Sequence, residues 1–217
     1  MYFKILRENL KHYDMQYKEG LNVDVLPFNP KPECGEGGLY FTDEQYILDF
    51  VDYGSKIAEV TVPEGEMIVP LEEKYKAHKI ILSNIRDLWT VETFEYLVSK
   101  GVNLHADYFV LRCAAEKGHL DVVRHLIEQG ANDYVYKNVA LRGAAGKGHL
   151  EIVKYLVEQR ADIHAVNDYA LRWAAFNGNL EVVKYLIEQG ADVHAADDYA
   201  LRWAAVKGHG KGSFGSC

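Results

Sequence analysis

The side chains of this sequence that could do chemistry are nine histidines, three cysteines and a spread of carboxylates, and their spacing limits what they can do together. Cys34, Cys113 and Cys217 are odd in number and far apart, with no CxxC pair for zinc and no disulfide framework. They are expected as reduced thiols, Cys217 the most open to cross-linking. His12 and His78 stand alone, and Cys34 has no base beside it in sequence. Each reads as a solvated or structural residue, because most ionisable side chains lie on surfaces. The Gly-rich stretch Gly35 to Gly38 lacks the GxxxxGK[ST] and GxGxxG spacings and precedes a strand instead of a helix, so it reads as a turn and not as a phosphate cradle.

The elements that must position these residues fall into two kinds. Residues 1–83 alternate short strands with one helix and read as a small α+β module. MYFKIL is a strand. Gly20 to Phe28 alternates Leu21, Val23 and Val25 against polar residues, the pattern of a half-buried strand. After the turn, Leu39 to Phe41 is a short strand. Thr42 is then placed to cap a helix that ends before Gly54, with Asp43 and Glu44 in its first turn and Ile47, Phe50 and Val51 on one face. Lys56 to Pro63, Met67 to Pro70 and Lys79 to Leu82 complete the strands.

Composition bounds the rest. With 48% hydrophobic and 26% charged residues the chain has material for a core. Its net charge of −8 argues against nucleic acid or an anionic membrane as the main partner, since both reward a basic surface. The acidity is concentrated at the front: residues 1–89 hold 10 Lys and Arg against 16 Asp and Glu. No apolar run approaches the ~18 residues of a membrane span and no signal-peptide core opens the chain, so an intracellular, cytoplasmic protein is expected.

From residue 84 one phrase recurs. Leu111, Leu141, Leu171 and Leu201 fall 30 residues apart, and a fixed period of this size marks units that must stack to bury a hydrophobic face. In each unit Leu, Ala and Ala at i, i+3 and i+4 (Leu111, Ala114 and Ala115 in the first) form a small-residue helix face, which Gly118, Gly148, Gly178 and Gly208 end. A second helix follows, with Asp121, Glu151 or Glu181 in its first turn and a base three residues on. The units divide as a degenerate cap at 84–106, full repeats at 107–136, 137–166 and 167–196, and a shortened last repeat with its tail at 197–217. The second repeat is the softest. Gly143 and Gly146 each cost about 1 kcal/mol inside a helix, and Arg160 stands where siblings have Gly130 and Gly190, a left-handed position costing roughly 1 to 2 kcal/mol. Either drift or a partner's need for a groove accounts for it. Trp173 and Trp203, at the repeat position that Cys113 and Gly143 hold in earlier units, are suited to filling space between units.

The phrase LRxAAxxGHLxVVxxLIEQGADVHA resembles the ankyrin repeat over roughly residues 90–209, and the whole chain resembles the ankyrin-repeat proteins of giant DNA viruses of amoebae. The resemblance implies an all-α ankyrin-repeat solenoid, here with 30-residue repeats and shortened β-fingers, following the α+β module. It implies a non-catalytic scaffold or adaptor that binds a host or partner protein on its concave face, in host-cell cytoplasm if viral, with no cofactor and no metal. The variable positions after each Ala-Ala pair would touch the partner: Glu116, Lys117, Gly146, Lys147, Phe176, Asn177, Val206 and Lys207. Tyr134 and Tyr136 in the finger loop 132–138 join them, and the clipped fingers leave more of the recognition to the first helices. Stacked units sit about 10 Å apart, too far for His164 and His194 to share a zinc with its ~2 Å bonds. Arg112, Arg142, Arg172 and Arg202 form either a structural ladder with Asp107, Asp168 and Asp198 or an anion-binding ridge. Because the last unit stops early, tail-to-tail pairing of two chains would cover its apolar end. Separately, GGLYFT followed by a helix and strand resembles a segment of ADP-ribosyltransferase-like domains. That implies an alternative in which Tyr40 and Thr42 face NAD and the array is a targeting arm.

Overall fold

The computed structural model describes residues 1–104, 108–131 and 133–206, with the backbone alone for residues 108 and 204–206. By backbone proximity the chain divides into two compact units, Met1–Asp107 and Tyr108–Cys217.

The first unit is built on strands β1 (Tyr2–Leu6), β2 (Lys11–His12), β3 (Met15–Gln16), β4 (Gly20–Val23), β5 (Leu39–Asp43), β6 (Lys56–Thr61), β7 (Val69–Pro70), β8 (Tyr75–Ala77) and β9 (Lys79–Asp87), followed by helix α1 (Val91–Ser99). Seven of them form one sheet in the order β4-β9-β6-β1-β5-β8-β7, every pairing antiparallel, while β2 and β3 make a separate hairpin. Leu6, Tyr17, Leu39, Phe41, Ala58, Val60, Ala77, Ile80 and Leu82 pack as its core, with Leu10 and Met15 of the hairpin region laid against them. The region is therefore strand-rich.

Two expectations are corrected here. Thr42 does not cap a helix: β5 runs on through Asp43, the Thr42 hydroxyl donates to the Glu73 carbonyl at 2.7 Å, and only a 3₁₀ helix, Ile47–Tyr53, follows. Ile47, Leu48 and Val51 are its buried residues. The parity of β4 is also inverted. Leu21 and Val23 are exposed and Asn22 is buried, because the Asn22 amide accepts from the Lys18 N–H (2.9 Å) and donates to the Lys18 and Gly20 carbonyls (2.8 Å each). A side chain that closes three local hydrogen bonds can occupy the core side, and with a period of two it sends its apolar neighbours to the other face.

The second unit is helical throughout its described residues: α2 (Tyr108–Lys117), α3 (Leu120–Glu128), α4 (Tyr134–Lys147), α5 (Leu150–Glu158), α6 (Ala165–Asn177), α7 (Leu180–Glu188) and α8 (Ala195–Val206). The Leu-Ala-Ala faces do what their spacing requires. Leu111, Ala114, Ala115, Leu141, Ala144, Ala145, Leu171 and Ala174 are buried, and their small size lets α2, α4, α6 and α8 pack side by side. The second helices α3, α5 and α7 touch one another far less. The first helices thus form the closely packed row of the array, referred to below as the inner helices, and α3, α5 and α7 form the outer row. Gly148 (φ 81) and Gly178 (φ 78) take the left-handed position that ends α4 and α6, letting the next N–H bond back to Ala144 and Ala174.

Residues 133–138 are not a finger loop. Asp133 caps α4 by accepting from the Val135 N–H at 2.8 Å, so Tyr134 and Tyr136 lie in the helix's first turn. In place of fingers, the later units enter their inner helices through a left-handed turn. Val166, Asn167 and Asp168, and again Ala196, Asp197 and Asp198, all have φ between 52 and 58.

Candidate interaction face

The inner helices place an aromatic row across the third and fourth units. Tyr169, Trp173 and Phe176 lie at i, i+4 and i+7 of α6, one side of the helix. Trp173 and Phe176 are parallel with centroids 5.1 Å apart, and Tyr169 stacks on Trp173 at 5.9 Å. From α8, Trp203 meets Phe176 edge-on at 4.9 Å, backed by Tyr199 at 6.0 Å. All five rings are part-exposed. Phe176 is therefore not a free-standing contact residue but a half-covered ring held between two tryptophans.

Trp173 reaches back over the preceding unit. A Cβ built on Gly146 would lie 1.8 Å from Trp173 Cδ1, and one on Gly143 2.6 Å from Glu116 Cγ. Gly146 is thus buried under an indole and offers a partner no surface, correcting its assignment to the contact set. Its absent side chain is a packing requirement of the third unit, which removes drift as the account of that glycine.

The arginines do not form an Asp–Arg ladder among the described residues. Their guanidiniums stand over aromatic rings instead: Arg142 over Tyr169 at 5.5 Å, and Arg172 between Tyr169 (5.1 Å) and Tyr199 (5.3 Å). Arg112 lies over Phe109 at 4.9 Å and donates to Glu116 at 3.2 Å. Arg172 also donates to the Asn167 and Val166 carbonyls at 2.8 Å each, tying down the left-handed turn. The aspartates serve a different network. Asp168 accepts from His164 Nδ1 (3.0 Å) and from the Asp192 N–H of the next unit (2.9 Å), and Asn138, one period earlier, accepts from the Asp162 N–H at 2.7 Å. His194 donates to Asp198 in the same way, and that hydrogen bond raises the His194 pKa. Asp107 lies outside the described residues.

A second set of pins joins the units at the other end of the inner helices. His149 Nε2 donates to the Glu116 carbonyl at 2.9 Å, and Asn179 Nδ2 to the Ala145 and Gly146 carbonyls at 2.8 and 2.9 Å. These groups follow the capping glycines, so each recruits carbonyls left open by the preceding unit's helix end. His119, at the same repeat position, has its pKa lowered by burial and by Lys117 and His149. The sequence reading missed these pins; a polar residue at 119, 149 and 179 directly after the helix-ending glycine is the signal that could have found them.

Of the remaining candidates, Lys117, Lys147 and Asn177 are exposed at the equivalent C-terminal ends of α2, α4 and α6. Glu116 is half-buried in its ion pair with Arg112. Tyr134 is 68% exposed and Tyr136 half-buried, at the opposite end of α4 from Lys147 and so about 20 Å from it at 1.5 Å per residue. Val206 closes α8, its side chain and Lys207 lying outside the described residues. In the first unit, the Tyr40 hydroxyl donates to the Gly35 carbonyl (2.8 Å) and accepts from its N–H (2.9 Å), while Thr42 is 3% exposed. Both side chains are spent inside the module, and NAD-facing roles for them find no support.

Stacked helix pairs with a 30-residue period and glycine-ended inner helices define a repeat protein of the interaction class. A family model described as ankyrin repeats matches three overlapping stretches, residues 87–167, 114–197 and 141–212, more than half the chain. The chain belongs to the ankyrin-repeat family. It is similar to three ankyrin repeat proteins of Acanthamoeba polyphaga mimivirus. One is 37% identical over 144 residues, 63% of this chain and 71% of the relative. The others are each 36% identical, over 137 residues (60% of this chain, 41% of the relative) and 124 residues (52% and 40%). The chain thus spans less than half the length of these last two. Ankyrin repeats imply a role in protein–protein interaction. No described helix is long and apolar enough to cross a membrane.

Proposed function

We propose that the chain is a non-catalytic interaction scaffold that holds a partner protein on the inner-helix face of its repeats. The observation that carries this reading is the half-exposed aromatic row from Tyr169 to Trp203. Large rings set among rigid helices offer contact area at little entropic cost, and binding energy concentrates on such residues. Lys147 and Asn177 lie exposed at the ends of α4 and α6, beside the row. A cytoplasmic partner of the host fits the mimiviral relatives.

A photo-cross-linking residue placed at Asn177, beside the row, is expected to capture a discrete set of proteins from an Acanthamoeba lysate. The same residue at Lys184, exposed on outer helix α7, is expected to capture few of them. Equal capture of the same proteins from both positions would show that the inner face is not the binding face.

A further inference from the structure

Charge is segregated between the two helix rows. The inner helices carry seven Lys and Arg against four Asp and Glu, one of the bases, Lys137, being buried on the Gln159 carbonyl, whereas the outer helices carry three against six. This basic strip lies on a protein whose net charge is −8. Most of the inner acids are moreover already committed. Glu116 pairs with Arg112, Asp168 with His164 and the Asp192 N–H, and Asp198 with His194. The bases are more open. Arg142 has a tyrosine beneath it but no carboxylate beside it among the described residues, Arg202 is exposed, and Lys117 and Lys147 are exposed.

Resting on the inner-face reading, we propose that the partner presents an acidic, extended polypeptide segment, with carboxylates received by Arg142 and Arg202 and apolar side chains on the Trp173–Phe176–Trp203 stack. Two physical features fit this occupant. Tyr169 supports Arg142 by its face, while Arg172, between Tyr169 and Tyr199, is already held by the Asn167 and Val166 carbonyls. Stacking engages the guanidinium planes and leaves N–H edges for carboxylates, which a guanidinium binds through its fork. Arg142 on α4 and Arg202 on α8 sit two inner helices apart, about 16 to 20 Å at 8 to 10 Å per helix. A polyproline II segment has three residues per turn and rises ~3.1 Å per residue, so every third side chain points the same way at ~9 Å intervals. A long nucleic acid fits less well, because the acidic outer row would repel it beyond the strip.

The test is fluorescence anisotropy on the full chain with labelled peptides of about a dozen residues, proline-rich, bearing Glu at every third position and one Trp. A matched peptide carries Gln for Glu, and an oligo-dT strand of similar length serves as the polyanion control. The Glu peptide is expected to bind at least about fivefold more tightly than the Gln peptide, the ratio one exposed ion pair can supply. That advantage should shrink as salt is raised to about 0.15 M. Arg142→Gln and Arg202→Gln should each weaken it and together erase it, and Lys154→Gln and Lys184→Gln on the outer row should leave it intact, all with unchanged melting. Equal binding of Glu and Gln peptides, tighter binding of oligo-dT, or indifference to the inner arginines overturns the proposal. Sequencing the segments cross-linked at Asn177 separates the two readings: neutral or basic segments there would sink the acidic partner and leave the inner face standing, whereas no inner-face capture would sink both.

Discussion

Gly146 occupies the inside of α4, where an alanine should be favoured by about 1 kcal/mol on helix propensity alone. The Trp173 indole reverses that preference, since a methyl group there would sit 1.8 Å from Cδ1. Gly146→Ala is therefore expected to destabilise the array by a net ~1 to 3 kcal/mol, the usual cost of overpacking, and to regain most of it when combined with Trp173→Ala, as contacting residues are not additive. Arg160 presents the opposite case. Its φ of 62 is left-handed, its side chain is exposed, and glycine fills the equivalent position at Gly130 and Gly190. Arg160→Gly should stabilise by ~1 kcal/mol by removing the Cβ strain. Urea unfolding measures both, and a Gly146→Ala midpoint at or above the parent's would refute the indole's role. The Arg160 conformation was legible, because a residue standing in a periodic glycine position inherits its backbone. Gly146 was legible as an anomaly only, since its explanation lies 27 residues away.

Among the elements, the inner and outer helices were readable in the sequence because each buries one stripe, and Leu-Ala-Ala followed by glycine has few other solutions. The strands of the first unit were readable in existence but not in parity. Leu21, Val23 and Val25 alternate as a buried face should, yet Asn22 takes the core by folding its amide onto Lys18 and Gly20. That outcome depends on a local hydrogen-bond closure that hydropathy does not record. The arginine ladder failed as a reading for a related reason: sequence proximity favours Asp, whereas the stacked geometry brings Tyr169 and Tyr199 to the guanidiniums and hands Asp168 to the next unit's backbone. Asp168 is 5% exposed and joins His164, the left-handed turn and Asp192. Asp168→Ala removes a part-buried hydrogen bond from the Asp192 N–H to a charged acceptor, a loss of about 1.5 to 3 kcal/mol. Hydrogen exchange should quicken at Asp192 as well as within 165–168, a spread a purely local turn would not give. Asp168→Asn should restore the Asp192 protection, since Asn138 already performs that task one period earlier.

At the scale of the molecule, the first unit carries an acid–base liability of its own in Lys4, a lysine held against its apolar core. Lys4 is 8% exposed, lies over the Tyr17 ring at 4.7 Å and donates to the Tyr40 carbonyl at 2.5 Å. Burial lowers its pKa from 10.5 to about 8. Between those values the unfolded chain binds a proton that the folded one has released, so stability rises with pH in that window. With each unit of displacement worth ~1.4 kcal/mol, the gain by pH 9.5 is ~2 kcal/mol. The tyrosines of the same unit then reverse it. Burial raises Tyr17, the hydrogen bond to Asp43 raises Tyr75 to about 12, and burial with the Glu59 hydrogen bond raises Tyr96 to about 12. Unfolded tyrosines ionise near 10, so stability is lost above that pH, and the first unit should have a maximum close to pH 9.5. Urea titrations resolved by hydrogen exchange in β1 and β6 would locate it. Lys4→Met should abolish the rise from pH 8 while keeping the fall above pH 10. A first unit whose stability is flat from pH 8 to 9.5 would mean that Lys4 reaches solvent and that the core around Tyr17 is open.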